Sequence, residues 1–329
     1  MRVSDFPSDE DLMSGAAAPI DPVAVPEGYR AGFVAIVGRP NVGKSTLTNV
    51  LVGRKIAITS MRPETTRHNA RGVISRDEGQ LVIVDTPGLH RPRTLLGKRL
   101  NDMAREVLVD VDAVVFCLPA DQKIGPGDRY IAQELKGLSA PVFAVVTKAD
   151  LVGQQQLAEA LLGASQLADF AAIIPVSARA NDTNDLVDVL FDAMPPSPPL
   201  YPPEMLSDQS DETMIAEYVR EAALHGAREE LPHSIAVQVE EILELPPRTP
   251  AQREGTAPVP LRVIVNIFVE RDSQKGIVIG KGGRQIAQIR ERATKAAKRL
   301  LERPVVLDLH VRTAKNWQRD PKLLGKLGF

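Results

Sequence analysis

The segment from Gly38 to Ser45 reads GRPNVGKS and fits the pattern G-x-x-x-x-G-K-[ST] of phosphate-binding loops. It follows GFVAIVG, an apolar, β-branched run typical of a buried strand, and leads into KSTLTNVLVG, which predicts a helix. The glycines let backbone N–H groups point inward at a phosphate, at the positive end of the helix dipole. We therefore expect Lys44 to reach the β- and γ-phosphates of a nucleotide and the Ser45 hydroxyl to bind Mg²⁺. The residues expected to contact the nucleotide here are Gly38, Arg39, Pro40, Asn41, Val42, Gly43, Lys44, Ser45 and Thr46.

Four more apolar runs follow, at intervals that leave room for helices between them. Strands that are apolar throughout and separated by helices predict an α/β fold, with a mostly parallel sheet covered by helices on both faces. The four runs are QLVIVD (80–85), DAVVFCLP (112–119), PVFAVVT (141–147) and AAIIPVS (171–177).

Three of these predicted strands end in residues that suit a guanine nucleotide. Asp85 ends the first and fits a role in holding Mg²⁺, while Gly88 lets a backbone N–H approach the γ-phosphate. Asp150 follows the third, and a carboxylate there accepts hydrogen bonds from the N1–H and exocyclic amine of guanine, donors that adenine lacks. The backbone that follows the fourth predicted strand is suited to contact the O6 atom of guanine. The residues so assigned are Asp85, Thr86, Pro87, Gly88 and Leu89, then Thr147, Lys148, Ala149 and Asp150, and last Ser177, Ala178 and Arg179.

In GRPNVGKST, DTPGLH and the pair Lys148 and Asp150, the chain resembles the translation-factor-related GTPases, and the Era GTPases in particular. The resemblance implies a P-loop GTPase domain, with GTP and GDP as ligands and Mg²⁺ as cofactor. Thr147 stands where that group usually has the asparagine of NKxD, so we expect guanine specificity to rest mainly on Asp150. Leu89 stands where Ras-like GTPases have a water-orienting glutamine, which predicts slow intrinsic turnover.

The loop ITSMRPETTRHNARG carries the remaining motif, a switch threonine that binds Mg²⁺ and the γ-phosphate only while GTP is present. Thr65 and Thr66 both fit, and the resemblance favours Thr66, the second of the pair. Lys44, Thr66 and Gly88 are then the candidate catalytic residues, and Ser45 and Thr66 the candidate metal ligands. The resemblance also implies K⁺ beside Asn41, although an asparagine that hydrogen-bonds its own loop backbone fits the sequence equally well.

A proline-rich segment, MPPSPPLYPPE (194–204), divides the chain. Its six prolines in eleven residues end a helix and favour an extended connector. The charge also changes: residues 261–329 hold 16 Lys and Arg against 6 Asp and Glu, which favours a polyanionic partner, either nucleic acid or an anionic membrane. We predict a flexible tail at residues 1–28, a GTPase domain at 29–194, a proline-rich linker at 195–210 and an RNA-binding domain at 211–329.

The pattern beyond the linker predicts a small α+β unit with an antiparallel sheet. Within it, a G-x-x-G turn precedes the basic helix RQIAQIRERATKAAKRLL. In KH domains such a turn clamps about four nucleotides of single-stranded RNA, whereas the alternative is a helix cap followed by a solvated basic helix. The expected RNA contacts are Ile279, Gly280, Lys281, Gly282, Gly283 and Arg284.

The order of these elements resembles the type II KH domain that ends Era proteins, so the resemblance covers residues 29–329. It implies a cytoplasmic ribosome-assembly factor whose partners are the 3′ end of 16S rRNA and the small ribosomal subunit, and not DNA. Peripheral association with the inner face of the cell membrane is also attributed to the family.

Two alternatives stay open: a GTP-gated scaffold or membrane-surface protein, and a nucleotide kinase, which has no use for DTPG, TKAD and SAR in series. One cysteine, Cys117, excludes a disulfide framework, and the apolar runs are too short to span a membrane.

Overall fold

The computed structural model describes residues 26–60, 65–92, 94–226 and 234–329. Nearly all of the tail predicted at residues 1–28 therefore lies outside the described residues. Two β-sheets organise the described part of the chain, one with six strands and one with three. None of the helices in these ranges is long and apolar enough to cross a membrane.

The first unit alternates strands and helices, as the buried apolar runs predict. Its elements, in chain order, are β1 (Arg30–Val37), α1 (Lys44–Val52), β2 (Ala70–Arg76), β3 (Gly79–Asp85), α2 (Leu95–Val109), β4 (Ala113–Pro119), α3 (Pro126–Glu134), β5 (Val142–Thr147), a 3₁₀ turn (Ala149–Leu151), α4 (Gln154–Ser165), β6 (Ala172–Pro175) and α5 (Asn184–Ala193). The central strands β1, β3 and β4 are buried along nearly their whole length, because helices cover both faces of the sheet.

The strand order is β2-β3-β1-β4-β5-β6, and every neighbouring pair is parallel except β2 and β3. The pattern of apolar runs misses β2, whose sequence ARGVISR carries two arginines and a short apolar stretch. Such a sequence suits an edge strand, which has one neighbour only. Since parallel strands share a direction, the loops after β1, β3, β5 and β6 all meet at the carboxyl edge of the sheet, where ligands bind in folds of this type.

The second unit packs two long helices against its three-stranded sheet. Its elements are α6 (Asp211–Gly226), β7 (Ala236–Glu244), α7 (Pro250–Arg253), β8 (Leu261–Val269), α8 (Asp272–Ile279), a 3₁₀ turn (Lys281–Gly283), α9 (Arg284–Leu301), β9 (Val305–Thr313), a 3₁₀ turn (Trp317–Arg319) and α10 (Pro321–Lys326). Alternate residues of β8, Val263, Val265 and Ile267, are buried against apolar side chains of α6 and α9, and this contact forms the core of the unit.

The prediction of an antiparallel sheet in this unit is wrong for one of its two strand pairs. β7 and β8 are antiparallel, but β8 and β9 are parallel, with β8 in the middle. The chain between β8 and β9 forms α8 and α9, and this helical crossover returns it to the end at which β8 began. Apolar alternation tells which residues face a core, but it does not tell the direction of a strand.

The proline-rich connector lies against the first sheet. Gln80, in β3, is buried, and its side-chain oxygen accepts hydrogen bonds from the backbone N–H groups of Leu200 and Tyr201 at 2.8 and 2.9 Å. Its amide nitrogen donates to the Tyr201 carbonyl oxygen at 2.9 Å. Farther on, Ser207 forms an isolated β-bridge with Gly72 of the edge strand β2. The path from the first unit to the second is therefore fixed at two places.

Candidate functional site

A cavity of about 930 Å³ lies at the carboxyl edge of the first sheet, where the sequence predicts a nucleotide. Loops of the first unit form one side of it, and helices α6 and α9 of the second unit form the other. A volume of this order suits a small-molecule ligand. The lining residues of the first unit are Pro40, Asn41, Gly43, Lys44, Ser45, Thr46, Ile58, Thr59, Ser60, Thr65, Thr66, Gly88, Lys148 and Arg179, and those of the second are Tyr218, Glu221, Ala222, Leu224, His225, Arg292 and Ala296.

The loop after β1 turns sharply into α1. Gly43 is the N-cap of α1 and has a φ of 104°, in the left-handed region that favours glycine. Having no side chain, it cannot accept a hydrogen bond from the first N–H groups of the helix. The first N–H groups of α1 are therefore available to an anion. At Gly88, a Cβ atom would lie 2.8 Å from the Pro40 backbone nitrogen, so the loop after β3 approaches the phosphate loop closely because it lacks a side chain there.

Lys44 is buried inside this loop. Its Nζ donates to the carbonyl oxygens of Gly38 and Arg39, at 3.3 and 3.0 Å. Burial lowers the pKa of Lys44, and the charge of Asp85 opposes that shift. Because a charge-assisted bond to phosphate is stronger than a bond to a neutral carbonyl, an entering phosphate would be the preferred partner of this ammonium.

Ser45, Thr66 and Asp85 meet in one cluster of oxygens. Asp85 Oδ2 accepts hydrogen bonds from Ser45 Oγ at 2.7 Å and from Thr66 Oγ1 at 3.2 Å, and the two hydroxyl oxygens are 2.8 Å apart. Burial raises the pKa of Asp85, while the charge of Lys44 and the two hydroxyls act to lower it. Asp85 Oδ1 is buried and has no hydrogen-bond partner among the described residues. Two hydroxyls and an incompletely bonded carboxylate are the oxygen ligands that Mg²⁺ prefers, so the cluster fits this ion.

The two candidate switch threonines have different surroundings. Thr66 presents its hydroxyl to the oxygen cluster, whereas the backbone carbonyl of Thr65 accepts a hydrogen bond from Arg220 on α6. Both residues line the cavity. This geometry supports Thr66 as the residue that would hold Mg²⁺.

The loop after β3 is held by backbone contacts. Thr86 donates from Oγ1 to the Ile36 carbonyl at 2.7 Å, and the Leu89 N–H donates to the Gly38 carbonyl at 3.2 Å. Pro87 and Leu89 are buried, and the Leu89 side chain belongs to the apolar core of the first unit. Leu89 thus faces away from the cavity, and only its backbone is placed to act on a ligand there.

The residues expected to bind a guanine base hold one another in place. Ser177 Oγ donates to Asp150 Oδ1 at 2.8 Å, and the Ala149 N–H donates to the Val176 carbonyl at 3.2 Å. Asp150 is exposed, and Ser177 engages only one of its carboxylate oxygens. Beside these, Lys148 and Arg179 line the cavity, with Ala178 adjacent along the chain, and Lys148 Nζ lies 3.2 Å from a carboxylate oxygen of Asp121. The loops after β5 and β6 therefore form one connected edge.

Thr147 fixes this edge to the phosphate loop. Its hydroxyl donates to the Val42 carbonyl at 2.5 Å and lies 3.5 Å from the Leu118 carbonyl oxygen. The residue that departs from NKxD thus ties β5 to the loop after β1, and a hydroxyl is sufficient for that bond.

The expected RNA-contacting residues surround the turn between α8 and α9. Gly280 has a φ of 74°, and a Cβ there would lie 2.6 Å from that of Gln285. A Cβ at Gly282 or Gly283 would meet nothing within 4 Å, and Lys281 and Arg284 are exposed. Gly283 is also the N-cap of α9, so the turn caps this helix as well as leaving its own backbone open. Open glycine backbone beside exposed cations leaves room for a phosphate backbone to approach.

An apolar strip borders this turn. Ile277 and Ile279 of α8 are 53% and 38% exposed, which is unusual for isoleucine. Such a surface next to open glycines suits unstacked bases.

Sequence reasoning misses the wall of the cavity that the second unit supplies. Tyr218 and Glu221 come from α6 and Arg292 from α9. Their local pattern is that of ordinary amphipathic helices, because the face a helix turns to another unit depends on how the units dock. No local signal singles out these residues, because α6 carries Glu217, Arg220 and Glu221 alike among its apolar residues.

Residues 33–148 match the family described as 50S ribosome-binding GTPase, and residues 230–318 match the KH domain family. GTPase Era of Streptomyces coelicolor is 53% identical over 308 residues, covering 92% of this chain and 95% of the relative. GTPase Era of Mycobacterium avium is 51% identical over 306 residues, covering 92% of this chain and 99% of the relative. A crystal structure of Era in complex with MgGDPNP and nucleotides 1506–1542 of 16S ribosomal RNA matches with a TM-score of 0.84 and 34% identity, covering 91% of this chain and 99% of that one.

Replacing Thr147 with valine removes the hydroxyl and keeps the shape of the side chain. We expect Thr147→Val to lower the free energy of unfolding by about 1–2 kcal/mol, because the Val42 carbonyl loses a buried partner. Urea unfolding measures this change. Thr183→Val is the matched control, since Thr183 is also buried but makes no side-chain cap to its helix. Equal losses in the two variants would contradict the assigned bond.

Proposed function

Because this chain belongs to the GTPase Era family, we propose that it hydrolyses GTP to GDP and phosphate in the cavity and binds ribosomal RNA through the turn at residues 280–283. The related Era crystal structure contains nucleotides 1506–1542 of 16S ribosomal RNA. We extend this partner to the present chain as the 3′ end of 16S rRNA, and with it a part in assembling the small ribosomal subunit in the cytoplasm. The division into a GTPase domain (29–194), a linker (195–210) and a KH domain (211–329) belongs to the same proposal.

The observation that carries the hydrolytic part is the junction of the phosphate loop with the oxygen cluster. The N–H groups at the start of α1 and the Lys44 ammonium are placed to stabilise charge that builds on a phosphoryl group during transfer. Ser45, Thr66 and Asp85 would hold Mg²⁺, which supplies positive charge to the phosphate oxygens. Leu89 is buried, so its side chain cannot orient the attacking water, and this supports slow intrinsic turnover.

Base recognition is assigned to Asp150. Its carboxylate stands beside Ser177 at the edge formed by the loops after β5 and β6, and Ser177 orients one of its oxygens. A carboxylate accepts from both the N1–H and the exocyclic amine of guanine, and it has nothing to accept from the N1 of adenine.

Changing Asp150 to asparagine replaces an acceptor with a group that also donates. We expect Asp150→Asn to weaken GTP binding about a hundredfold, because charge-assisted hydrogen bonds worth roughly 3 kcal/mol are lost. Xanthosine triphosphate, which has a carbonyl in place of the amine, should bind the variant better than it binds the wild type. Titration with each nucleotide gives the affinities.

Asp182→Asn is the control, since Asp182 is an exposed carboxylate in the loop after β6. A wild-type chain that bound ATP as tightly as GTP would contradict the assignment of Asp150.

A potassium ion beside Asn41 forms part of the proposed function. Asn41 lines the cavity and has a φ of 65°, within a loop whose shape is set for phosphate. A cation there would add positive charge to the phosphates, which the buried Leu89 side chain cannot stabilise. GTP turnover should be several-fold faster in KCl than in NaCl of equal ionic strength, and Asn41→Ala should remove the difference. Equal rates for the wild type in the two salts would contradict the proposal.

The RNA-binding part is supported by the turn at residues 280–283. Gly282 has open space around it and a φ of 61°, a conformation that aspartate tolerates better than most residues. We expect Gly282→Asp to weaken binding of single-stranded RNA about tenfold or more, because the new charge repels the phosphates that approach the turn. GTP binding should be unchanged, which shows that the variant is folded. Fluorescence anisotropy with labelled RNA measures the loss.

Gly255→Asp is the matched control, because Gly255 has a φ of 73° and open space around it, in the loop between β7 and β8. An equal effect of the two variants on RNA would place the contact elsewhere.

The basic face of the KH domain is also our candidate for peripheral contact with the inner face of the cell membrane. Vesicles that contain anionic lipid test this contact, which should weaken with salt and respond little to Gly282→Asp.

A further inference from the structure

The second unit holds the switch loop on both sides of Thr66. The Thr65 carbonyl accepts a hydrogen bond from Arg220 of α6, and Arg67 Nη1 donates to the Ile235 carbonyl at 2.6 Å, just before β7. Two anchors, one residue before Thr66 and one residue after it, therefore join this part of the first unit to the second.

Arg220 is itself firmly oriented. It is buried, and its guanidinium forms two hydrogen bonds with Glu217, at 2.8 Å through Nε and 2.6 Å through Nη2. Burial alone would raise the pKa of Glu217, but the charge and hydrogen bonds of Arg220, together with the nearby His68 and Arg67, outweigh it and lower that pKa. Because two hydrogen bonds to Glu217 fix the plane of the guanidinium, its Nη2 group is oriented toward the Thr65 carbonyl, to which it donates.

Arg67 is held as closely. It is also buried, and its guanidinium carbon lies 5.5 Å from the centre of the Trp317 ring and 5.9 Å from that of Phe329. The next residue, His68, stacks on Phe329 with ring centres 5.2 Å apart. Contacts of this kind restrict a loop more than exposed ion pairs do, because they are desolvated.

We propose that Arg220 and Arg67 are positioning residues for GTP hydrolysis, which set the backbone at residues 65–67 so that the Thr66 hydroxyl stands at the oxygen cluster. The inference rests on the proposed function, and it makes the docked KH domain a requirement for a complete metal site. A ligand must be held to within about 0.5 Å for such a site to work. Thr66 Oγ1 lies 2.8 Å from Ser45 Oγ, and the second unit binds the residue on each side of Thr66.

Arg220→Ala in the full chain tests the proposal. We expect kcat for GTP hydrolysis to fall about tenfold or more, as for lost partners of metal ligands. The Mg²⁺ concentration needed for binding of a non-hydrolysable GTP analogue should rise, whereas GDP affinity should stay within about twofold of the wild type, because Thr66 serves the triphosphate state. Arg220→Lys keeps a cation beside Glu217 and should recover part of the rate.

Arg303→Ala is the matched control. Arg303 lies in the same unit, pairs with Glu244 at 2.9 Å and donates to the Val259 carbonyl at 2.7 Å, so it has the same kinds of partner away from the switch loop. It should leave kcat and the Mg²⁺ requirement unchanged. If Arg220→Ala behaves like this control, or lowers GDP affinity as much as kcat, Arg220 is only a structural contact and the proposal is overturned.

A double-mutant cycle separates this proposal from the proposed function. If Arg220 acts through Thr66, then Thr66→Ala with Arg220→Ala should be no slower than Thr66→Ala alone. Losses that multiply would overturn the positioning role and leave the proposed function standing. A Thr66→Ala variant as fast as the wild type would instead remove Thr66 from the reaction. Arg67→Lys, which keeps the cation but loses the planar fork, should give a weaker form of the pattern expected for Arg220→Ala and decides the matter if that variant fails to fold.

Discussion

A buried carboxylate at the end of β3 sets the conditions for the whole site. A charge in such surroundings is costly unless partners compensate it, and Asp85 obtains them from the Lys44 ammonium and the hydroxyls of Ser45 and Thr66. These partners belong to two separate segments, the phosphate loop with the start of α1, and the switch loop. The charge on Asp85 therefore favours an arrangement in which both segments meet at β3. The order of the sheet, with β3 beside β1, makes that meeting possible.

The switch loop is part of the first unit, but it also forms hydrogen bonds with the second unit. It is tied to α6 at two places, through Glu221, which accepts from the Thr59 N–H at 3.0 Å, and through Arg220, which donates to the Thr65 carbonyl. A ligand that draws Thr66 toward Mg²⁺ must then act on the docking of α6. By linkage, a partner whose binding alters this docking changes the affinity of the site for the triphosphate. The triphosphate changes the affinity for that partner by the same factor. Coupling between the domains thus follows from contacts that already exist.

Local patterns allow much of the first unit to be predicted, because buried parallel strands produce continuous apolar runs and a phosphate loop has a fixed spacing. The same logic misses β2, since an edge strand needs no such run, and it misjudges the direction of β9, since a crossover is a property of the whole chain path. In the site, Lys44 and Asp85 follow from motifs. The bond from Arg220 to Thr65 depends on how two units dock, which no short pattern encodes.

Helix α9 provides a rigid connection between the two proposed ligands. It begins next to the turn at residues 280–283, and Arg292 and Ala296, two and three turns farther along, line the nucleotide cavity. A helix of this length rises about 1.5 Å per residue and bends little, so its 18 residues move nearly as one body. RNA that reorients the start of α9 therefore shifts the wall of the cavity, and a nucleotide that fills the cavity restrains the turn. Since both ends belong to one helix, we expect the binding of either ligand to constrain the surroundings of the other.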